Sequence, residues 1–298
     1  DLGAGGRIEM ASQVTNPDTK DRYYISSLIE EAVTSSQIEG AITTRRVAKE
    51  MIRSGRAPKD NSEKMILNNF KTMRRIGELK NRELTPELIL ELHALITEGT
   101  LEATDAVGRL RQEDEPIEVG SEVDDTVYHR PPPAAELPER LERMCQFANM
   151  KTDSNFVHPV IRAVLLHFWL AYDHPFIDGN GRTARALFYW SMLRNGYWLF
   201  EFISISHVIK NTKVKYYRSF LHTETDENDL TYFLVYHLEA IQKAVKALED
   251  YLERKMKELQ TLEQEMKMFQ NFNYRQKALL SHALRHPWHT YSFESHRS

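Results

Sequence analysis

Apolar residues recur along most of this chain at the three-and-four spacing of an amphipathic helix, which confines the fold to a packing of helices. Tyr24, Ile25, Leu28, Ile29 and Val33 form such a stripe in a helix expected over 21–34, with Gly40 as its stop signal. The pattern returns over 62–76 in Met65, Ile66, Phe70, Met73 and Ile76. Thr85-Pro86-Glu87, a capping residue and then a proline suited to the first helical position, opens the next helix through Leu88, Leu92, Leu95 and Ile96. Further helices are expected over 136–149, 158–172, 183–194, 206–221 and 230–270. The segment 158–172 is apolar around most of its circumference and belongs in the core. Only 116–120 alternates; with the prolines of Tyr128-His-Arg-Pro-Pro-Pro133, the stretch 109–133 reads as an exposed hairpin or flap. The expected class is all-α with a small β-hairpin flap, N-terminal helices and a C-terminal helical extension.

Composition narrows the function. A formal net charge of -4 over 298 residues gives no bulk attraction to nucleic acid or an anionic membrane. No apolar run approaches the roughly 18 residues of a membrane span, and residues 1–6 lack a basic-then-apolar leader pattern. The single cysteine, Cys145, forms no internal disulfide and sits on an amphipathic pattern as a small buried residue. A reducing, cytoplasmic setting is therefore expected.

The chemistry concentrates in His174-Pro-Phe-Ile-Asp-Gly-Asn-Gly-Arg-Thr-Ala-Arg185. Gly179, Asn180 and Gly181 allow a tight turn that exposes successive N–H groups where a helix begins, a place that attracts anions. Arg182 and Arg185, three apart, share a helical face and add two guanidinium groups, so the ligand is a polyanion. Asp178 offers a hard oxygen to a magnesium ion that completes its shell with phosphates and water. His174 titrates near neutrality and suits a general base. No Gly-Lys-Ser/Thr follows the glycines, and the preceding segment reads as helix, which excludes the Walker loop and the dinucleotide fingerprint. His167, His207, His222 and His237 show no metal-ligand spacing and read as packing or surface residues.

These twelve residues resemble the Fic motif, His-x-Phe-x-Asp/Glu-Gly-Asn-Gly-Arg-x-x-Arg, at every defined position. The resemblance implies a helix-loop-helix in an all-helical core, with His174 deprotonating a target hydroxyl, Asp178 holding Mg2+, and Phe176 anchoring the loop. It further implies that Gly179, Asn180 and Gly181 form the anion hole, that Arg182 and Arg185 bind phosphates, and that Thr183 and Ala184 complete the nucleotide-binding segment. Gly181 stands where the phosphorylating Doc branch has lysine, which points to AMP transfer from ATP. Ser35-Ser-Gln-Ile-Glu-Gly40 resembles the inhibitory pattern of members whose inhibitory helix is N-terminal. It implies that Ser35, Glu39 and Gly40 belong to such a helix and that Glu39 pairs with Arg185 in the space of the γ-phosphate. Ile117, Val119 and Gly120 resemble the flap that holds a target segment as an added strand. Tyr216 and Tyr217 resemble a nucleotide-lining tyrosine pair, with core packing an equal reading of both.

The resemblance spans roughly 21–240. The implied division is an N-terminal helical region with the inhibitory helix at 1–84, a Fic core at 85–240, and a long helix with a tail at 241–298. The tail, a short helix over 274–284 and a break at 286–290, reads either as a helical cap or as the start of a winged-helix module that would contact DNA. The implied function is protein adenylyl transfer from Mg-ATP to a Tyr, Thr or Ser hydroxyl of a protein target, with self-modification and a homodimer among the implied options. Removal of AMP by the same site, and a nucleotide-binding regulator with a DNA-binding output, stay open as alternatives.

Overall fold

A computed structural model describes residues 17–120, 127–150, 156–268, 273–276 and 279. The acidic tip of the flap, the first sixteen residues and nearly all of the tail lie outside the described residues, and with them the winged-helix reading.

The described chain is helical apart from one small hairpin. In order come α1 (Pro17–Ile38), α2 (Arg45–Ser54), α3 (Asn61–Leu79) and α4 (Pro86–Thr97). The hairpin follows, as β1 (Val119–Gly120) and β2 (Val127–His129). Then come α5 (Leu137–Asn149), α6 (Pro159–Asp173), α7 (Asn180–Arg194), α8 (Ile205–Asn211), α9 (Lys213–Thr225) and α10 (Thr231–Met268). No helix among the described residues is long and apolar enough to cross a membrane.

Local chemistry sets several boundaries. Thr85 caps α4, its hydroxyl accepting from the Leu88 N–H at 3.2 Å, with Pro86 at the first position. Gly40, at φ 94°, closes α1: the Ala41 N–H donates to the Ser36 carbonyl at 3.0 Å and the Gly40 N–H to that of Gln37 at 3.3 Å. This paired arrangement ends helices through a left-handed glycine. It leaves Glu39 as the last residue before the turn.

The antiparallel strands pair Val119 with His129 and Gly120 with Val127, with an irregularity between the two β1 residues. Ile117 and Val119 are half-buried and Gly120 is exposed.

The most central helix is α7. Phe188, Tyr189, Trp190, Leu187 and Met192 are fully buried, and so are its polar Arg182, Thr183 and Arg185. It packs against α6, α3, α4 and α1. A helix buried all round must satisfy its polar groups within the protein or through a ligand. Cys145 is buried in α5, and burial pushes its thiol up to about 12, so it is an inert packing residue.

Three elements differ from expectation. The helix α2 was not expected; few of its residues are apolar, and only Ala48 and Met51 are buried. The span 206–221 is broken at Thr212, whose hydroxyl donates to the Val208 carbonyl at 2.8 Å and bonds the Tyr236 hydroxyl at 2.9 Å. Finally, α7 begins at Asn180 rather than 183, because Gly179 takes the left-handed N-cap conformation, φ 84°.

Candidate active site

Helix α6 ends at the first residue of the motif. His174 caps it with φ 45° and ψ 56°, a left-handed conformation that costs a non-glycine residue about 1–2 kcal/mol. Such strain persists only where the surroundings hold it. Here the His174 N–H donates to the Leu170 carbonyl at 3.0 Å. The Arg111 Nε donates to the His174 carbonyl at 2.9 Å, and the Arg111 N–H to the Pro175 carbonyl at 2.9 Å. On the ring, Nδ1 lies 3.1 Å from the Ala171 carbonyl and donates to it, which leaves Nε2 with its lone pair. Burial lowers the His174 pKa below the usual histidine value, so the ring is neutral at pH 7.

Phe176 is fully buried, and its backbone is fastened by the Asn180 side chain. The Phe176 N–H donates to Asn180 Oδ1 at 3.0 Å, and Asn180 Nδ2 donates to the Phe176 carbonyl at 2.7 Å. The Asn180 amide group is therefore spent on holding the loop, and only its backbone N–H faces the helix start. Asp178 is exposed; Oδ1 accepts the Gly179 N–H at 2.5 Å and Oδ2 lies 3.1 Å from Arg182 Nη2.

Gly179 has no room for a side chain. A Cβ there would stand 2.7 Å from Thr97 Cγ2 and 3.4 Å from His93 Cδ2. The first intrahelical bond of α7 runs from the Thr183 N–H to the Gly179 carbonyl at 2.9 Å. The N–H groups of Asn180, Gly181 and Arg182 precede it and carry the positive end of the helix dipole. The Thr183 hydroxyl donates to the same carbonyl at 2.9 Å, and Ala184 is buried against the core.

The space above that first turn holds the carboxylate of Glu39. A Cβ on Gly181 would stand 2.3 Å from Glu39 Oε1. The same oxygen accepts from Arg185 Nη2 at 2.8 Å. Arg185 also donates from Nε to the Ser35 hydroxyl at 2.8 Å and from Nη2 to the Ser35 carbonyl at 3.0 Å. Arg185 Nη1 and Arg182 Nε are buried without a hydrogen-bond partner. Arg182 is turned toward α4, with Nη1 3.3 Å from the Ile96 carbonyl, so the two guanidinium groups share no partner.

The tyrosines of α9 separate. Tyr216 is buried, its hydroxyl 3.0 Å from His167 Nε2. Tyr217 is 48% exposed, with Lys213 Nζ 5.5 Å from its ring centre. Of the two, only Tyr217 has an exposed ring.

One residue of the site escaped the sequence reading. His93 on α4 stacks on Phe176, with ring centres 3.7 Å apart and planes 4° apart. Its Nδ1 accepts the Gly108 N–H at 3.1 Å and its Nε2 donates to the Asp178 carbonyl at 2.9 Å. Burial brings its pKa down to about 4, and that pair of bonds requires the neutral ring. The available signal was a histidine on the stripe Ile89, His93, Ile96, where an apolar residue was due.

A helical scaffold built around an anion-attracting helix start, with an imidazole beside it, is the class that fold and site define. Residues 83–192 match the model of the Fic/DOC family. Relatives named protein adenylyltransferase Fic include those of Drosophila grimshawi, 37% identical over 118 residues, and Drosophila mojavensis, 41% identical over 86. These alignments cover 39% and 28% of this chain, and 21% and 17% of the relatives, so the match spans about a fifth of their length. Among solved structures, a Fic family protein from Desulfovibrio desulfuricans superposes with a TM-score of 0.67 at 22% identity, over 84% of this chain and 72% of that one. A Fic domain containing signaling protein from Bacteroides thetaiotaomicron gives 0.64 at 22%, over 79% and 90%. The fold is therefore the Fic helical fold.

Proposed function

We propose that this chain is a protein adenylyltransferase, moving AMP from Mg-ATP to a Tyr, Thr or Ser hydroxyl of a protein, and that Glu39 holds it inactive. The observation that carries this reading is a carboxylate of the chain's own seated over the first turn of α7, beside a buried arginine with an unpartnered Nη1. A buried unpaired guanidinium nitrogen is costly, and a phosphate oxygen would satisfy it.

In the proposed reaction the acceptor hydroxyl oxygen bonds to the α-phosphorus, and the bond from that phosphorus to the bridging oxygen breaks. Pyrophosphate leaves with that electron pair. The hydroxyl proton passes to His174 Nε2, whose lone pair is left free by the Nδ1 bond to the Ala171 carbonyl. The N–H groups of Gly181 and its neighbours stabilise charge on the phosphate, and Arg185, once free of Glu39, binds the outer phosphates. Arg182 is held in its present rotamer by the Ile96 carbonyl and the Asp178 carboxylate, with Nε left unpartnered. Tyr217 would stack on adenine, while Tyr216 braces it from the core.

Among the described residues no group of three or more His, Cys, Asp or Glu could hold a metal by itself. Magnesium fits all the same, because it takes one or two carboxylates and completes its shell with phosphates and water, and Asp178 is exposed at the right end of α7. When bound it would neutralise charge on the phosphates.

In this reading the segment 85–240 is the catalytic core and 1–84 the regulatory region, a target strand adds to the flap, and the protein works in the cytoplasm. The test uses α-labelled ATP in a Glu39→Gly background. Adding His174→Ala should lower label transfer to protein by about 10²–10⁴-fold while ATP binding persists. Equal transfer with and without the imidazole would remove His174 as the base.

A further inference from the structure

The flap is clipped to the end of α6 by two cationic side chains. One is Arg111, which donates to the carbonyls of His174 and Pro132. The other is His129, the only buried residue of β2; Val127 and Tyr128 are exposed. Its ring is tilted against Tyr172, with centres 4.7 Å apart. Nδ1 lies 2.6 Å from Glu224 Oε2 on α9, and Nε2 lies 2.6 Å from the Tyr172 carbonyl oxygen in the last turn of α6.

Both partners are acceptors with no proton to give. A neutral imidazole has one N–H and one lone pair, so it can serve only one of them. Only the doubly protonated ring makes both bonds. The negative end of the α6 dipole favours that charge. Burial alone would lower the His129 pKa, but the Glu224 carboxylate and the Tyr172 carbonyl outweigh it and hold the value above normal. Asp173 from α6 also favours the charge, although Arg140 of α5 already engages that carboxylate at 2.7 Å. Among the described residues, Arg111, the neutral His174, the Tyr172 phenol and the neighbouring Arg130 also lie near.

We propose that His129 is a positioning residue which, as an imidazolium, fixes strand β2 to the end of α6 two residues before His174. Losing one proton opens one of the two bonds and loosens the strand. The clip then sets how firmly the flap can hold an added target strand, a consequence that rests on the function proposed above; the clip itself does not.

The test therefore avoids turnover. Ring ¹⁵N shifts of His129, assigned with His129→Gln, should show both nitrogens protonated at pH 6, with a midpoint above 6.5, and Glu224→Gln should move that midpoint down. Amide protection of Val127 to His129 in the wild-type chain should fall by about tenfold, the worth of one charge-assisted hydrogen bond, as pH rises through that midpoint. In His129→Gln it should be low and independent of pH. A single neutral tautomer at pH 6, a midpoint unmoved by Glu224→Gln, or protection that ignores pH in the wild type would each overturn the proposal. Neither readout involves nucleotide, so absence of AMP transfer would count against the proposed function alone.

Discussion

At the residue scale, Glu39 stands out because local electrostatics oppose it. A carboxylate in the last turn of a helix meets the negative end of the dipole, at a cost of about 0.3–1 kcal/mol. Its position is set instead by Arg185 and by the bare Cα of Gly181. Such disagreement between local preference and tertiary placement marks functional positions. The two loop glycines are predicted to behave differently. Gly179→Ala should destabilise the fold by about 2 kcal/mol or more, from the left-handed backbone and the Thr97 contact together. Gly181→Ala should cost less, because Gly181 has helical backbone and alanine favours a helix, although its Cβ would press on the Glu39 carboxylate and on Arg185 Nη1. Urea midpoints would compare them, and equal losses would contradict this account. The loop chemistry was legible because glycine, acid and arginine spacing states it directly. The loop-holding use of the Asn180 side chain and the inward turn of Arg182 were not, since both depend on carbonyls of the loop and of α4.

At the element scale, α1 is fastened by one buried carboxylate in addition to its apolar face of Leu28, Ile29, Ala32 and Val33. Glu31 Oε2 accepts from the Tyr189 hydroxyl at 2.7 Å, the Ser204 hydroxyl at 2.8 Å and the Ser206 N–H at 3.2 Å, and Oε1 accepts from the Ser206 hydroxyl. Lys213 Nζ adds a bond to the Ile38 carbonyl at 2.9 Å near the Glu39 end. Glu31→Ala leaves the buried N–H and hydroxyl of Ser206 without their acceptor, a loss of about 1–3 kcal/mol or more. It should accelerate hydrogen exchange across residues 28–39 while α6 and α7 keep their protection. Unchanged exchange there would show that α1 docks by its apolar face alone. Strongly periodic helices such as α3, α4 and α6 were readable from sequence. The helix α2 was not, because its exposed charged face hides a narrow stripe. Nor was the break at Thr212, because its partner Tyr236 lies on another helix.

At the scale of the whole molecule, the histidines set the response to acid. Burial lowers His93 to about 4, His237 to about 3, and His167 well below its normal value. Unfolded, each titrates near 6.5, so below that pH the unfolded chain binds more protons. Their contribution is full above about pH 6.5 and is lost as pH falls, by about 1.4 kcal/mol per unit for each group until its folded value is reached. Hydrogen bonding to Glu30 raises His207, and the carboxylate of Glu224 raises His129; their contributions have the opposite sign, present below 6.5 and lost above. Three histidines at 0% exposure outweigh the two whose values are raised, so the urea midpoint should drop from pH 7 to pH 5, and a flat profile would contradict the neutral assignments. In the proposed function the Glu39 carboxylate occupies a phosphate's place in an otherwise competent site. Intact-protein mass spectrometry after incubation with Mg-ATP checks this. Glu39→Gly should gain the mass of AMP while the wild type gains little; equal spectra from the two proteins would contradict it.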